Sequence, residues 1–233
     1  MISVRHWVGL YVALFPLFAA SAVEAVLAPG YGPLQYTPPT AGSYALPPLG
    51  VAADGQVIND AGKPLQLNEL LGDKLVLLGF IYTRCSDING CPLASYVMKK
   101  VQAGVAKDDA LNRQVRLISL SFDPESDTPD ALRDYAMHFR RRGSDWQFLT
   151  TASEATLQPI LEGYGQVRQK NFDENGEYTG SMSHILRVFL VDRQGRIRNI
   201  YSTGFLHADT VINDLQTLLI EASAGSMSGE STN

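Results

Sequence analysis

Apolar residues along this chain gather in continuous runs of strand length that alternate with stretches of helical spacing. "KLVLLGFIYT", Lys74 to Thr83, is a continuous apolar run, the pattern of a central strand buried on both faces, and "QVRLISLSFD", Gln114 to Asp123, reads as a second buried strand. Between them, Leu93, Val97, Val101 and Val105 recur at helical intervals, and Pro92 suits the first turn of that helix, where its missing N–H costs nothing. "DTPDALRDYAMHFRRR" reads as a second helix, opened by Asp127 or Thr128 with Pro129 at its first position, and Leu132, Tyr135, Ala136 and Phe139 form its apolar face.

A short strand is expected near Trp146 to Leu149 and a helix from Ser153 to about Tyr164. "HILRVFLVD", His184 to Asp192, reads as a strand, "RQGR" as a turn and "IRNIYS" as its hairpin partner, before a closing helix from His207 to about Ala222. Ahead of these elements, "GQVINDAGKPLQLNELLG" predicts a strand pair turning at Asp60-Ala61-Gly62 and a short helix near Leu67 to Leu71. The order is α/β: a thioredoxin-like three-layer fold with a central mixed sheet and an N-terminal β-hairpin extension.

The two ends break this pattern. Residues 1–25 place Arg5 and His6 before an apolar run from Trp7 to Ala20 and then small residues, the layout of a signal peptide; a retained membrane anchor is the alternative. Residues 26–47 are punctuated by proline and glycine and read as a linker or an extended arm. The domain proper spans 48–222, and 223–233 is small and polar, the composition of a disordered tail. The body of the protein is therefore expected outside the cytosol, in the periplasm or otherwise exported, with attachment to the inner membrane if the N-terminal segment is kept.

Composition adds little to this picture. The 233 residues, 45% hydrophobic, suffice for one domain with a sizeable core. A formal charge of -5 argues against nucleic-acid binding, which needs a basic footprint.

The chemistry concentrates in "TRCSDINGCPLAS". It holds both cysteines of the chain, Cys85 and Cys91, with five residues between them. A bridge across so short a loop constrains little, which leaves a redox dithiol or part of a metal site as the stronger readings against a structural staple. The first cysteine closes a central strand and the second opens a helix. Sites in open α/β sheets collect at strand C-termini, and a helix N-terminus favours the thiolate that binds metals and attacks disulfides.

Three stretches resemble the Sco/SenC/PrrC family of thioredoxin-fold copper proteins that assist assembly of cytochrome oxidase. They are "LVLLGFIYTRC" with the following "CPLA", "ISLSFDPESDTPDALRDYA" from Ile118 to Ala136, and "SHILRVFLVDRQGRI" from Ser183 to Ile197. The resemblance covers roughly Pro48 to Ala222 and places copper ligands on Cys85, Cys91 and His184, the last eleven residues before Gly195. Two thiolates suit Cu(I) and an imidazole accommodates Cu(II), so such a set holds both oxidation states.

Asp123 matches the family's acidic position near the cysteine loop, where it would act on a ligand from behind; a turn aspartate before Pro124 is the plainer reading. Met182 would share the face of His184 on a strand, with packing the plainer role, and Asp87 reads as a turn residue before a ligand. His6, His138 and His207 carry no comparable signal. The chain departs from the family at the loop itself, with five residues between the thiols where the family has three.

The resemblance implies an exported copper chaperone that delivers copper to a respiratory cytochrome oxidase or matures its copper site, with a Cys pair cycling between dithiol and disulfide. Its partners would be the oxidase's copper-carrying subunit or another cuproprotein, other copper chaperones and thiol reductants. The alternative is an enzyme, a copper-independent thiol:disulfide oxidoreductase. A thiol peroxidase is weaker, since the approach to Cys85 lacks the proline of that setting.

Overall fold

The computed structural model describes residues 29–229, with side chains to residue 224; the segment expected as a signal peptide or anchor lies outside them. Eight strands form one mixed sheet. In chain order its members are β1 (Gly50–Val51), β2 (Gln56–Asn59), β3 (Pro64–Gln66) and β4 (Leu75–Ile81). Helices α1 (Cys91–Val105) and α2 (Asp109–Gln114) lead to β5 (Val115–Ser121), and α3 (Pro129–Met137) leads to β6 (Trp146–Thr150). After α4 (Glu154–Gly163), strands β7 (Arg168–Phe172) and β8 (Tyr178–His184) pair only with each other. The hairpin β9 (Arg187–Val191) and β10 (Arg196–Ser202) then returns to the main sheet, and α5 (Ala208–Gly229) closes the chain.

The strand order is β1-β10-β9-β4-β5-β6-β2-β3, with β4, β5 and β6 parallel and β9 antiparallel to β4. All seven residues of β4 are buried, as its continuous apolar run requires. Register puts Gly79 beside Ser119 and Val188, so these three share one face. A Cβ on Gly79 would meet Met98 Sδ at 3.4 Å, which brings α1 close on that side. Tyr135 of α3 packs edge-on to Phe148, and Tyr201 bonds Asp214 of α5, so α3 and α5 lie on the same face. Phe80 points the other way, onto Tyr164 at the end of α4 and Phe189. The result is the expected helix–sheet–helix layering, with the N-terminal hairpin turning at Asp60-Ala61-Gly62 as expected.

Several local expectations change. Thr128, not Asp127, caps α3: its Oγ1 accepts from Ala131 N at 3.3 Å, with Pro129 following in the first turn. Helix α2, capped by Asp108, occupies residues before β5 that showed no clear period. Helix α5 runs to Gly229 rather than ending near Ala222, so the first part of the expected tail is helical. The Pro/Gly-rich segment is a packed arm over residues 29–46. It runs along α5 through His207 Nε2, which donates to Gly32 O at 3.0 Å, and Tyr44, whose hydroxyl donates to Asp214 at 2.5 Å. No helix of the described residues is long and apolar enough to cross a membrane.

Candidate metal centre

Strand β4 delivers Tyr82 and Thr83 to the top of the sheet, and the chain turns at once. Cys85 N donates to Tyr82 O at 3.2 Å, and Tyr82 N donates to Cys91 Sγ at 3.4 Å, so one residue at the strand end holds both cysteines. Inside the loop, Asp87 accepts from Asn89 N at 3.0 Å through its side chain and from Gly90 N at 2.9 Å through its carbonyl. Asp87 is thus the turn residue it was expected to be. Gly90 precedes α1 without a side-chain cap, and Cys91 is the first residue of that helix, 1% exposed.

His184 arrives from a different direction. It does not open β9; it ends β8, and Ile185 and Leu186 separate it from the central strand. The polar hairpin β7–β8 therefore carries the ring to the cysteines. Its Nε2 stands 3.7 Å from Cys91 Sγ and 3.9 Å from Cys85 Sγ. The three donor atoms all lie within 4.8 Å of one another. A first-row ion bonded to thiolate at about 2.3 Å and imidazole at about 2.0 Å, with bonds 120° apart, separates those donors by about 3.7 Å. The residues fit such an ion.

Aromatic walls hold the imidazole. Tyr82 meets it edge-on at 5.8 Å between centroids and Phe122 lies against it at 4.8 Å. Its Nδ1 is buried without a hydrogen-bond partner among the described residues. Ring orientation thus comes from packing, where metal-binding histidines usually use a carboxylate or carbonyl.

Asp123 does not supply that partner. Its carboxylate accepts from Arg84 Nη2 at 3.1 Å, and its backbone N donates to Ser121 Oγ at 2.9 Å. Its carboxylate reaches the cysteine loop through Arg84, the neighbour of Cys85. Asp127 carries no site signal in the sequence, because its position before Pro129 reads as a helix start. It is fully buried and accepts from Thr83 N, Thr83 Oγ1 and Ser121 Oγ, the last two at 2.6 Å. Met182 is buried with its sulfur 3.8 Å from Arg168 Nη1, a packing position. His207 is satisfied on the arm, its Nδ1 accepting from Asp209 N at 3.2 Å.

The two thiols are electrostatically unlike. Hydrogen bonding from the Cys91 thiol, with further bonds from His184 and the loop backbone, outweighs burial and brings Cys85 down from 9.0 to about 4. Burial, followed by the neighbouring Cys85 thiolate, pushes Cys91 well up. One exposed-side thiolate thus faces one buried thiol.

Fold and cluster together define a class: thioredoxin-fold proteins with a dithiol and a histidine converging at the end of the central strand. The SCO1/SenC family model matches residues 49–220, and the chain belongs to that family. It is 30% identical to the SCO1 protein homolog of Bacillus subtilis over 162 residues, 68% of this chain and 78% of that protein. Among solved structures it is similar to Bradyrhizobium japonicum ScoI with copper bound, at 25% identity and a TM-score of 0.59 over 71% of this chain and 98% of that one. It is also similar to BsSco, a Sco-family cytochrome c oxidase assembly protein with a disulfide switch, at 25% identity and a TM-score of 0.58 over 73% and 95% of the two chains.

Proposed function

We propose that this protein is an exported copper chaperone that carries one copper ion on Cys85, Cys91 and His184 and donates it to a respiratory cytochrome oxidase. The observation that carries the reading is the convergence of two sulfurs and Nε2 at 3.7 to 3.9 Å on a site opening toward Cys85. Thiolates favour Cu(I), and the imidazole extends the site to Cu(II). The relative solved with copper bound and the relative named for oxidase assembly support cargo and client. The N-terminal apolar segment supports export, with the domain on the periplasmic side and either released or held at the inner membrane.

The dithiol supplies the switch. When Cys85 thiolate and Cys91 thiol pass two electrons and one proton to a partner's disulfide and a second proton from solvent, an S–S bond forms, the partner gains two thiols, and two ligands disappear. Thiolates are needed for metal and absent from the disulfide, so loading and oxidation exclude each other.

The second reading is a thiol:disulfide oxidoreductase, favoured by the inequality of the thiols. A Cys85 held near 4 is a ready nucleophile or leaving group, and a buried Cys91 is a resolving thiol.

Titration of the reduced protein with Cu(I) and Cu(II) tests the first reading. One ion should bind per chain, and His184→Ala should weaken Cu(II) binding at least tenfold. Absence of stoichiometric binding, or indifference to His184, refutes it; turnover of a model disulfide that Cys85→Ser abolishes then assigns the second reading.

A further inference from the structure

The cysteine loop has a contact outside its own turn. Tyr31, in the arm that precedes the domain, donates its hydroxyl to Ile88 O at 3.1 Å. Ile88 is the middle residue of the five between the cysteines. The Tyr31 ring is itself fixed: it stacks on Tyr96 of α1 with centroids 4.8 Å apart and planes 16° from parallel. Lys100 Nζ covers Tyr96 at 4.9 Å.

The arm has no slack at this point. A Cβ on Gly30 would stand 2.4 Å from Leu206 O and under 3 Å from Val97 and Leu93, so only glycine lets the chain pass between α1 and the start of α5. His207 Nε2 grips Gly32 O on the other side. Tyr31 is thus held between two anchored residues, with its hydroxyl aimed at the loop.

We infer that Tyr31 is a positioning residue for the dithiol: the arm latches the lengthened Cys85–Cys91 loop from outside and keeps the two sulfurs within 4.8 Å of each other. The inference deepens the copper reading and rests on it for its consequence, though not for its first test. Inside the loop, Asp87 accepts from Asn89 N and Gly90 N, and its carbonyl lies 4.0 Å from Cys85 Sγ. Ile88, at 47% exposed, is only half-buried, which leaves the peak of the loop to be held through its backbone. The hydroxyl at its carbonyl takes that role.

The test uses Tyr31→Phe, which keeps the stack on Tyr96 and removes only the hydroxyl, and Tyr31→Ala, which removes both. In the metal-free, reduced protein, amide exchange at Ile88, Asn89 and Gly90 should quicken at least fivefold in Tyr31→Phe while β4 and β5 keep wild-type rates. Equilibration with glutathione disulfide, which takes two electrons and one proton from the Cys85 thiolate and Cys91 thiol and a second proton from solvent and leaves two glutathione molecules, should give a dithiol/disulfide constant shifted at least threefold. Cu(I) affinity, read by competition with a chromophoric chelator, should fall in the same order. Loop exchange at wild-type rates in both variants overturns the latch. Because exchange is read without metal, a quickened loop in a protein that binds no copper upholds the latch and refutes the copper reading separately.

Discussion

Thr83 gives both of its donors to Asp127: its backbone N lies 3.1 Å from Oδ2 and its Oγ1 lies 2.6 Å from Oδ1. The carboxylate of the β5–α3 connection thereby ties down the residue two before Cys85. Removing it strands the Ser121 hydroxyl in a buried setting and the Thr83 N–H and hydroxyl in a half-buried one. Asp127→Ala should cost about 3 kcal/mol, since each orphaned buried donor costs about 1–3 kcal/mol and partial solvation recovers some of the loss. For a domain of this size that lowers the melting temperature by roughly 6–12 °C. A drop of under about 2 °C in a calorimetric scan would contradict the clasp.

The same carboxylate sets a pH dependence. Burial lifts its folded pKa above 3.8, against the bonds from Ser121 and Thr83. Between 3.8 and the raised value the native state holds a proton that the unfolded chain has lost, so this group's contribution is complete below 3.8 and is lost as pH rises through the folded pKa. Other acids, such as Asp145 and Asp192, titrate in the opposite sense, so the difference between wild type and Asp127→Asn is the quantity to read. Urea midpoints from pH 3.5 to 7 should show the wild type losing ground to the variant as pH rises. A difference that is flat in pH counts against it.

Asp123 gives a contrasting expectation. Its carboxylate reaches Arg84 and no ligand, and the Arg84 side chain is 50% exposed. Asp123→Asn should therefore leave copper affinity within about threefold, whereas loss of a group that orients a ligand costs about 10–100-fold. Isothermal competition with a chelator decides between these outcomes, and a tenfold loss would give Asp123 the ligand-tuning role that the family resemblance implies.

Alkylation separates the two thiols. Cys85, held near 4, should react with iodoacetamide at pH 6 while buried Cys91 stays unmodified. Because the bond from Cys91 is the largest cause, Cys91→Ser or Cys91→Ala differ in sign of use: serine keeps a donor and should keep Cys85 low, and alanine should let it climb toward 9. Mass-resolved rates from pH 4 to 9 give both midpoints, and equal midpoints in the two variants would contradict the assignment.

The sequence made the cysteine half of the site readable and the histidine half only by likeness. β4 is a continuous apolar run of strand length, α1 carries a helical apolar spacing, β5 reads as a second buried strand, and Pro92 marks where the helix starts. The hairpin β7–β8 has no such signal: "RQKNF" and "YTGSMSH" are polar, half-exposed and paired only with each other, so no buried face imposes an alternation. The apolar pattern therefore puts His184 on the strand that follows it, where apolar residues begin. The arm is legible only as an alternative to a linker, and its contacts are not legible, for a related reason. Its contacts are single side chains set among prolines and glycines, and neither Tyr31 nor Tyr44 repeats at any interval that could mark a partner.

Arg198 carries the last prediction, because it binds that arm to the rest of the fold. It is 6% exposed, and its Nε donates to Leu46 O at 2.5 Å, its Nη1 to Asp192 at 2.9 Å and its Nη2 to Glu221 of α5 at 2.7 Å. Arm, hairpin turn and final helix meet on one guanidinium. Arg198→Ala leaves a buried carbonyl and a buried carboxylate short of donors and should cost about 3 kcal/mol, the lower end for breaking a buried ion pair, because Arg196 still bonds Asp192. Arg198→Lys keeps the charge but cannot reach three partners from one point, and should recover less than half of that loss. Burial pushes the Asp192 carboxyl up, yet bonds from Arg196 and Arg198 hold it below 3.8, so its stabilisation is present above 3.8 and is lost as pH falls through the folded value. The penalty of Arg198→Ala should therefore shrink between pH 5 and pH 2 as Asp192 protonates in both proteins. Denaturant titrations across that range check it, and a penalty that holds constant into acid would place the cost in the Leu46 and Glu221 contacts instead.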